Sequence, residues 1–416
     1  MKRQVFILFA FLLIGASAFA QTTITVIFPK HEADLNGAFA ARVKDFEAAS
    51  KVTVNLIQMG WDDVNNKLTA EMASGGNAYD VVEFDNGNVA AWLGANWVEP
   101  LDAYMPKGFT KGMIPGLVDL FSGADGKLYG VVWNNDTRFF FYNAAMLKKA
   151  GIANPPRTWD ELISQSKTLQ SKGIARYGMA GFWKAEWALA NDFHFYAYTY
   201  GGKIVDKSGR FLFKDDPNTL AAVQLMARML KEGVVDPASL TYDQEAVNNV
   251  FLKGDVAFLN QGIPGIMAYA QDAARSKVVG QVKVGLVPGG KAGVSAALTL
   301  PEAYAIPKGS RNKAAAWKFI EYMTSRESNK KLAQAIGILP IWTEQYTDRD
   351  LVKLYPYWAD FSRQMGSAVG LSVITWYNNF VDVCIAETQK ILSGKVEPRQ
   401  GLNEMADLLK EYQGKP

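Results

Sequence analysis

One cysteine, Cys384, and two histidines, His31 and His194, are all the sequence holds of either residue. A single thiol cannot close an intrachain disulfide, and so few soft ligands cannot build a Cys/His zinc site, so no metal is expected. The same scarcity leaves little material for a Ser-His or Cys-His nucleophilic pair, and no G-x-S-x-G turn occurs. Phosphate-cradling loops of the G-x-x-x-x-G-K-[ST] or G-x-G-x-x-G type are also missing, so no nucleotide or other cofactor is expected. These absences point away from an enzyme. Charge of one sign is lacking too: 44 Lys+Arg against 41 Asp+Glu leave a formal charge of +3, too weak a field to hold nucleic acid.

What is present describes a folded, soluble chain. Hydrophobic residues make up 49% and charged residues 20%, and 416 residues exceed what one core usually supports, so two lobes are expected. Lys2 and Arg3 precede an apolar run from Val5 to Ile14 and a small-residue site, Ala18-Phe19-Ala20. That pattern reads as a secretory signal peptide over residues 1–20, cleaved before Gln21; its apolar core is shorter than the roughly 20 residues that span a bilayer. No cysteine follows to take a lipid, which favours a free periplasmic protein.

Strand and helix patterns then alternate. Thr23–Phe28 reads as a strand, Gly37–Ala49 as a helix, Val52–Met59 as a second strand, and Asp62 is placed to cap a helix running through Met72. Asp80–Phe84 reads as a third, buried strand. Ala124–Lys127 reads as a hairpin turn leading to a strand over Leu128–Trp133, and Thr158-Trp159-Asp160-Glu161 fits a helix capping box. Such alternation predicts α/β architecture with mainly parallel sheets flanked by helices, with ligand beyond the carboxyl ends of the strands.

Several segments in order, Tyr79-Asp80-Val81-Val82, Phe141-Tyr142-Asn143, Ala150-Gly151-Ile152 with Pro155-Pro156-Arg157-Thr158-Trp159-Asp160-Glu161-Leu162, Phe251 with Gly254-Asp255-Val256-Ala257-Phe258, and Ala303–Ile306 with the helix Ala314–Met323, resemble extracellular solute-binding family 1. This is the periplasmic, sugar-binding component of bacterial ABC importers. The resemblance implies the two-lobed periplasmic-binding-protein fold with its ligand cleft between the lobes. It places one lobe at 21–133 and 290–340, the other at 138–287 and 343–416, and crossovers near 134–137, 287–290 and 339–343. It implies a monomer that binds a neutral mono- or disaccharide and delivers it to transmembrane permease subunits. A polyol or glycerol phosphate ligand is the alternative, a secreted glycoside hydrolase a more distant one, and a lectin-like adhesin or chemoreceptor partner a third class.

Sugar recognition needs polar side chains for hydroxyls and aromatic faces for the apolar side of the ring. Loops after the three strands offer His31 and Glu32, then Trp61, then Glu83, Phe84, Asp85 and Asn86. Asp136 and Arg138 lie in the first crossover, either on ligand or as a hinge salt bridge. Trp183, Glu186 and Trp187 interleave aromatic and acidic groups, and Gln261 follows a strand. Pro264 stands where family members often carry a stacking aromatic, which Trp376 or Tyr377 could replace.

Overall fold

The computed structural model describes residues 22–31, 34, 36–206 and 208–415. The expected signal segment and Glu32 lie outside them. In chain order the strands are β1 (Thr23–Pro29), β2 (Thr53–Met59), β3 (Val81–Asp85), β4 (Val131–Asn134), β5 (Phe139–Asn143) and β6 (Tyr177–Met179). There follow β7 (Val256–Gly262), β8 (Val282–Gly285), β9 (Ala297–Leu298), β10 (Glu302–Ala305) and β11 (Ala368–Val369).

Two sheets carry the architecture. The first has the order β2-β1-β3-β10-β4, the second β6-β7-β5-β8, and β9 pairs with β11 apart from both. Parallel pairing, expected for most strands, holds for β1 with β2 and β3 and for β6 with β7. The antiparallel members are β10, against β3 and β4, and β5, against β7 and β8. These are the strands by which the chain enters one sheet from the other, so they lack the helical crossover that makes a neighbour parallel.

Chain passages between the sheets are hydrogen-bonded to one another. The Arg138 amide donates to the Leu298 carbonyl at 2.9 Å, the Leu300 amide to Asp136 at 2.6 Å and the Asn135 amide to Leu339 at 3.1 Å. The hydroxyls of Thr137 and Thr299 meet at 3.1 Å. The three passages therefore run side by side.

Local chemistry explains the elements. The Thr158 hydroxyl accepts the Glu161 amide at 3.1 Å while Glu161 accepts the Arg157 amide at 2.7 Å, and Trp159 is buried with its indole N–H on Thr199 at 2.9 Å. The Pro-Pro-Arg-Thr-Trp segment is thus a cap and a packing anchor. The expected hairpin turn forms, with Ser122 bridged to Leu128 and Gly126 at φ 76°. That turn consumes Leu128 and Tyr129, so β4 begins only at Val131. Phe28, Phe39, Trp133 and Tyr304 form an aromatic core on the first sheet, and Trp159 packs on Phe195 and Tyr196 beside the second. Among the described residues no helix is long and apolar enough to cross a membrane.

Candidate functional site

A cavity of about 560 Å³ lies between the two sheets, within the volume range of small-molecule sites. Lys30 and His31 enter it from the end of β1, and Trp61, Asp62 and Asn65 from the helix Trp61–Ala73 that follows β2. Glu83 and Asp85 of β3 and Asn88 just beyond form one wall. Asp136 and Arg138 come from the passage between β4 and β5, Glu302 from the start of β10, and Glu186, Trp187, Asn191 and Gln244 from the opposite half.

Strand geometry selects these groups. Alternation along β3 turns Glu83 and Asp85 to one face and Phe84 to the other. Glu302 pairs with Asp85 across the antiparallel ladder, which puts a third carboxylate on the same face. Glu302 accepts from the Asn134 amide group at 3.3 Å. Asp136 and Arg138 form a buried ion pair at 2.5 Å, and Arg138 also donates to Gln244 at 3.1 Å.

Asp62 spans the gap. Gly60, not Asp62, is the N-cap of its helix, and the Asp62 carboxylate lies near the Trp187 amide at the start of the helix Trp187–Thr199, which favours its ionised form. That amide is one of the orphan donors of a helix N-terminus, where a nearby carboxylate from the facing half is favourable. Burial, and then the nearby Glu186, hold the Asp62 carboxyl above its ordinary pKa.

The carboxylates on β3 are held in an unfavourable state. Burial, then the charge of Asp85, push Glu83 well above the usual range, and its Oε1 meets no donor. Burial is also the main cause that pushes Asp85 up to about 7; the Gly87 amide and Arg138 oppose it and Asp136 adds to it. A carboxyl whose folded pKa lies above its unfolded value favours folding below the unfolded pKa and loses that contribution as pH rises through the folded one. For Asp85 the window runs from 3.8 to about 7. Asp85→Asn is therefore expected to stabilise the ligand-free protein by about 2–4 kcal/mol at alkaline pH and not at all near pH 4, read by denaturant unfolding at both. Equal effects at the two pH values would show that Asp85 is not desolvated.

His31, Trp61, Glu83, Asp85, Asp136, Arg138, Glu186 and Trp187, all singled out in the sequence, meet in this one cavity. Six others do not line it. Phe84 faces the helix-covered side of its sheet and stacks on Trp92 at 5.0 Å. Asn86 is buried in the turn Asn86–Asn88. Trp183 is wholly buried and donates its indole N–H to Asp192 at 2.8 Å, and Gln261, at φ 52°, binds the same carboxylate. Trp376 stacks on Tyr412 and donates to the Lys415 carbonyl at 2.7 Å. Tyr377 lies behind the cavity against Trp187, centroids 5.7 Å apart, and over Gly87, where a Cβ would sit 2.6 Å from its ring.

Asn65, Asn88, Asn191, Gln244 and Glu302 are cavity residues that the sequence reading missed. Asn65 and Asn191 sit inside helices and Asn88 in the turn three residues past Asp85, so none falls at a strand end itself. Glu302 had a signal: a carboxylate inside the otherwise apolar run Glu302–Ile306 has to face something polar.

The comparisons with known proteins follow the same line. A family model described as bacterial extracellular solute-binding protein matches residues 31–330. The chain belongs to that family. Among other solute-binding proteins it is similar to the diacetylchitobiose binding protein DasA of Streptomyces coelicolor, 26% identical over 339 residues that cover 78% of this chain and 75% of DasA. Maltose-bound MalE3 of T. maritima superposes with a TM-score of 0.86 at 24% identity, covering 94% of this chain and 99% of that one. An ABC transporter solute-binding protein of Agrobacterium radiobacter K84 in complex with ribitol gives 0.85 at 21%, covering 94% and 98%. These likenesses establish the two-lobed periplasmic-binding-protein fold, and the family and these neighbours are binding proteins.

Proposed function

We propose that this solute-binding protein is the periplasmic component of an ABC importer, secreted behind a signal peptide cleaved before Gln21, that takes a carbohydrate into the cavity between its sheets and presents it to membrane permease subunits as a monomer. Its lobes would be 21–133 with 290–340 and 138–287 with 343–416, closing about the passages between them. One observation carries the ligand class. Three buried acceptors on the cavity wall, Glu83 Oε1, Asn88 Oδ1 and Asn191 Oδ1, have no donor, while the half-buried indoles of Trp61 and Trp187 line the same space. Unmet acceptors beside apolar rings suit a molecule with many hydroxyls and an apolar ring face. A glycerol phosphate is disfavoured, because among the described residues nine carboxylates line the cavity against Lys30 and Arg138.

Calorimetry against a panel of mono- and disaccharides and polyols tests this reading, with chromatography of the sugar afterwards. Saturable binding with the sugar recovered intact is expected; cleaved product, or no heat with any member, contradicts it. Within such a panel Trp187→Ala is expected to weaken the tightest ligand by about ten- to a hundredfold, since a stacking indole supplies both buried area and ring contact. An unchanged affinity would remove Trp187 from the binding face.

A further inference from the structure

The charge of the cavity exceeds what hydroxyl recognition requires. Among the described residues nine carboxylates line it, with Lys30 and Arg138 the only lining lysine or arginine. Part of this excess is neutralised locally: Asp136 holds Arg138 at 2.5 Å, and Glu186 at the rim pairs with Lys184. At the end of β3 the neutralisation is weaker: Arg138 favours ionised Asp85 from a distance while its ion pair goes to Asp136. Glu83 is only 4% exposed and its Oε1 meets no donor, while Asp85, two residues on and on the same face, uses Oδ1 for the Gly87 amide at 2.7 Å.

Two carboxylates desolvated side by side are costly unless a positive charge reaches them or one of them takes a proton. A ligand hydroxyl can donate to such a group but brings no charge. An ammonium brings the charge and three donors, and its hydrogen bonds to a carboxylate are about twice as strong as neutral ones. A metal ion would need several ligands converging on one point, and among the described residues no cluster of three or more His, Cys, Asp or Glu is placed to hold one.

We infer that the natural ligand is an amine-bearing carbohydrate, an amino sugar or amino sugar alcohol, whose ammonium group sits against Glu83 and Asp85 while its hydroxyls meet Asn88 and Asn191. The inference rests on the carbohydrate reading and narrows it; it departs from the neutral sugar expected from the sequence. Glu83 and Asp85 are then the residues that set specificity.

Matched pairs test it: glucose with glucosamine, galactose with galactosamine, sorbitol with glucamine, and N-acetylglucosamine as an uncharged amide, titrated by calorimetry into the mature protein at neutral pH. At least one amine is expected to bind about tenfold or more tightly than its neutral partner, and acetylation to abolish that advantage. Glu83→Gln is expected to shrink the preference to about threefold or less, with Asp85→Asn as a second variant should the first fail to fold. Both variants remove a desolvated carboxyl, so their ligand-free melting temperatures should equal or exceed that of the parent. Neutral sugars binding as well as the amines, a preference untouched by both variants, or tight binding of calcium chloride alone would overturn the inference and leave the carbohydrate reading standing. Binding of no sugar, amine or polyol at all would remove both.

Discussion

Arg138→Ala is expected to lower the stability of the ligand-free protein by about 3–5 kcal/mol at alkaline pH, the range seen when one partner of a buried ion pair is removed. Arg138 is 7% exposed and Asp136 2%, so little water would replace the guanidinium. Its loss would strand Asp136 and leave Asp85, whose ionisation Arg138 favours, facing a like charge with no cation between them. It would also release Gln244 of the facing half, which accepts from Arg138 at 3.1 Å. The deficit should shrink towards pH 5, because protonating the stranded carboxylates removes the repulsion. Denaturant unfolding of parent and variant at both pH values measures it. A loss under about 1 kcal/mol, or one that does not change with pH, would mean that Arg138 serves ligand and not the junction.

Trp183→Ala is the second large effect, and it separates the structure from the sequence reading. The indole is wholly buried, its ring meets Tyr196 edge-on at 6.5 Å and its N–H satisfies Asp192. Truncating a buried tryptophan costs about 3–5 kcal/mol from the cavity alone. Asp192 would in addition lose one of its donors, although burial already holds its carboxyl up to about 7. Unfolding midpoints should therefore fall sharply, while ligand affinity measured well below the new midpoint changes little beside that of Trp187→Ala. A Trp183→Ala protein of parental stability with no ligand affinity would return Trp183 to the binding face.

Which aromatics bind and which pack was the part of the site least legible in sequence. Trp183 and Trp187 lie four residues apart in one loop-to-helix segment, and only the fold of the turn before the helix Trp187–Thr199 sends one inward and the other to the cavity. Trp376 and Tyr377 precede a helix in the same way, yet both are buried, Trp376 by Tyr412 and the Lys415 carbonyl from the C-terminal end of the described chain. Contacts at such sequence distance leave no local trace. Strand-borne residues were easier. Period-two alternation marks Glu83 and Asp85 as sharing a face, and the β-α-β-α-β opening puts that face at the strands' carboxyl ends. Asp62 shows how far the same reasoning reaches: an acidic residue after Gly60-Trp61 suggests a cap, but the amide it lies near belongs to the opposite half, more than a hundred residues away.

The proposed sites also oppose stability. Glu83 and Asp85 are kept desolvated next to each other, and their amide variants should make a sturdier empty protein and a poorer receptor. Such conflict between folding and binding is what a preorganised polar cavity implies.

The central claim is that this cavity receives the carbohydrate, and a crystal structure of the protein with the tightest-binding member of the sugar panel tests it most directly. The predicted result is a ring between the two sheets, in contact with the Trp61 or Trp187 indole, with polar groups of the ligand on Glu83, Asp85 and Asn191. A sugar bound elsewhere on the molecule, with this cavity holding only water, would contradict the account.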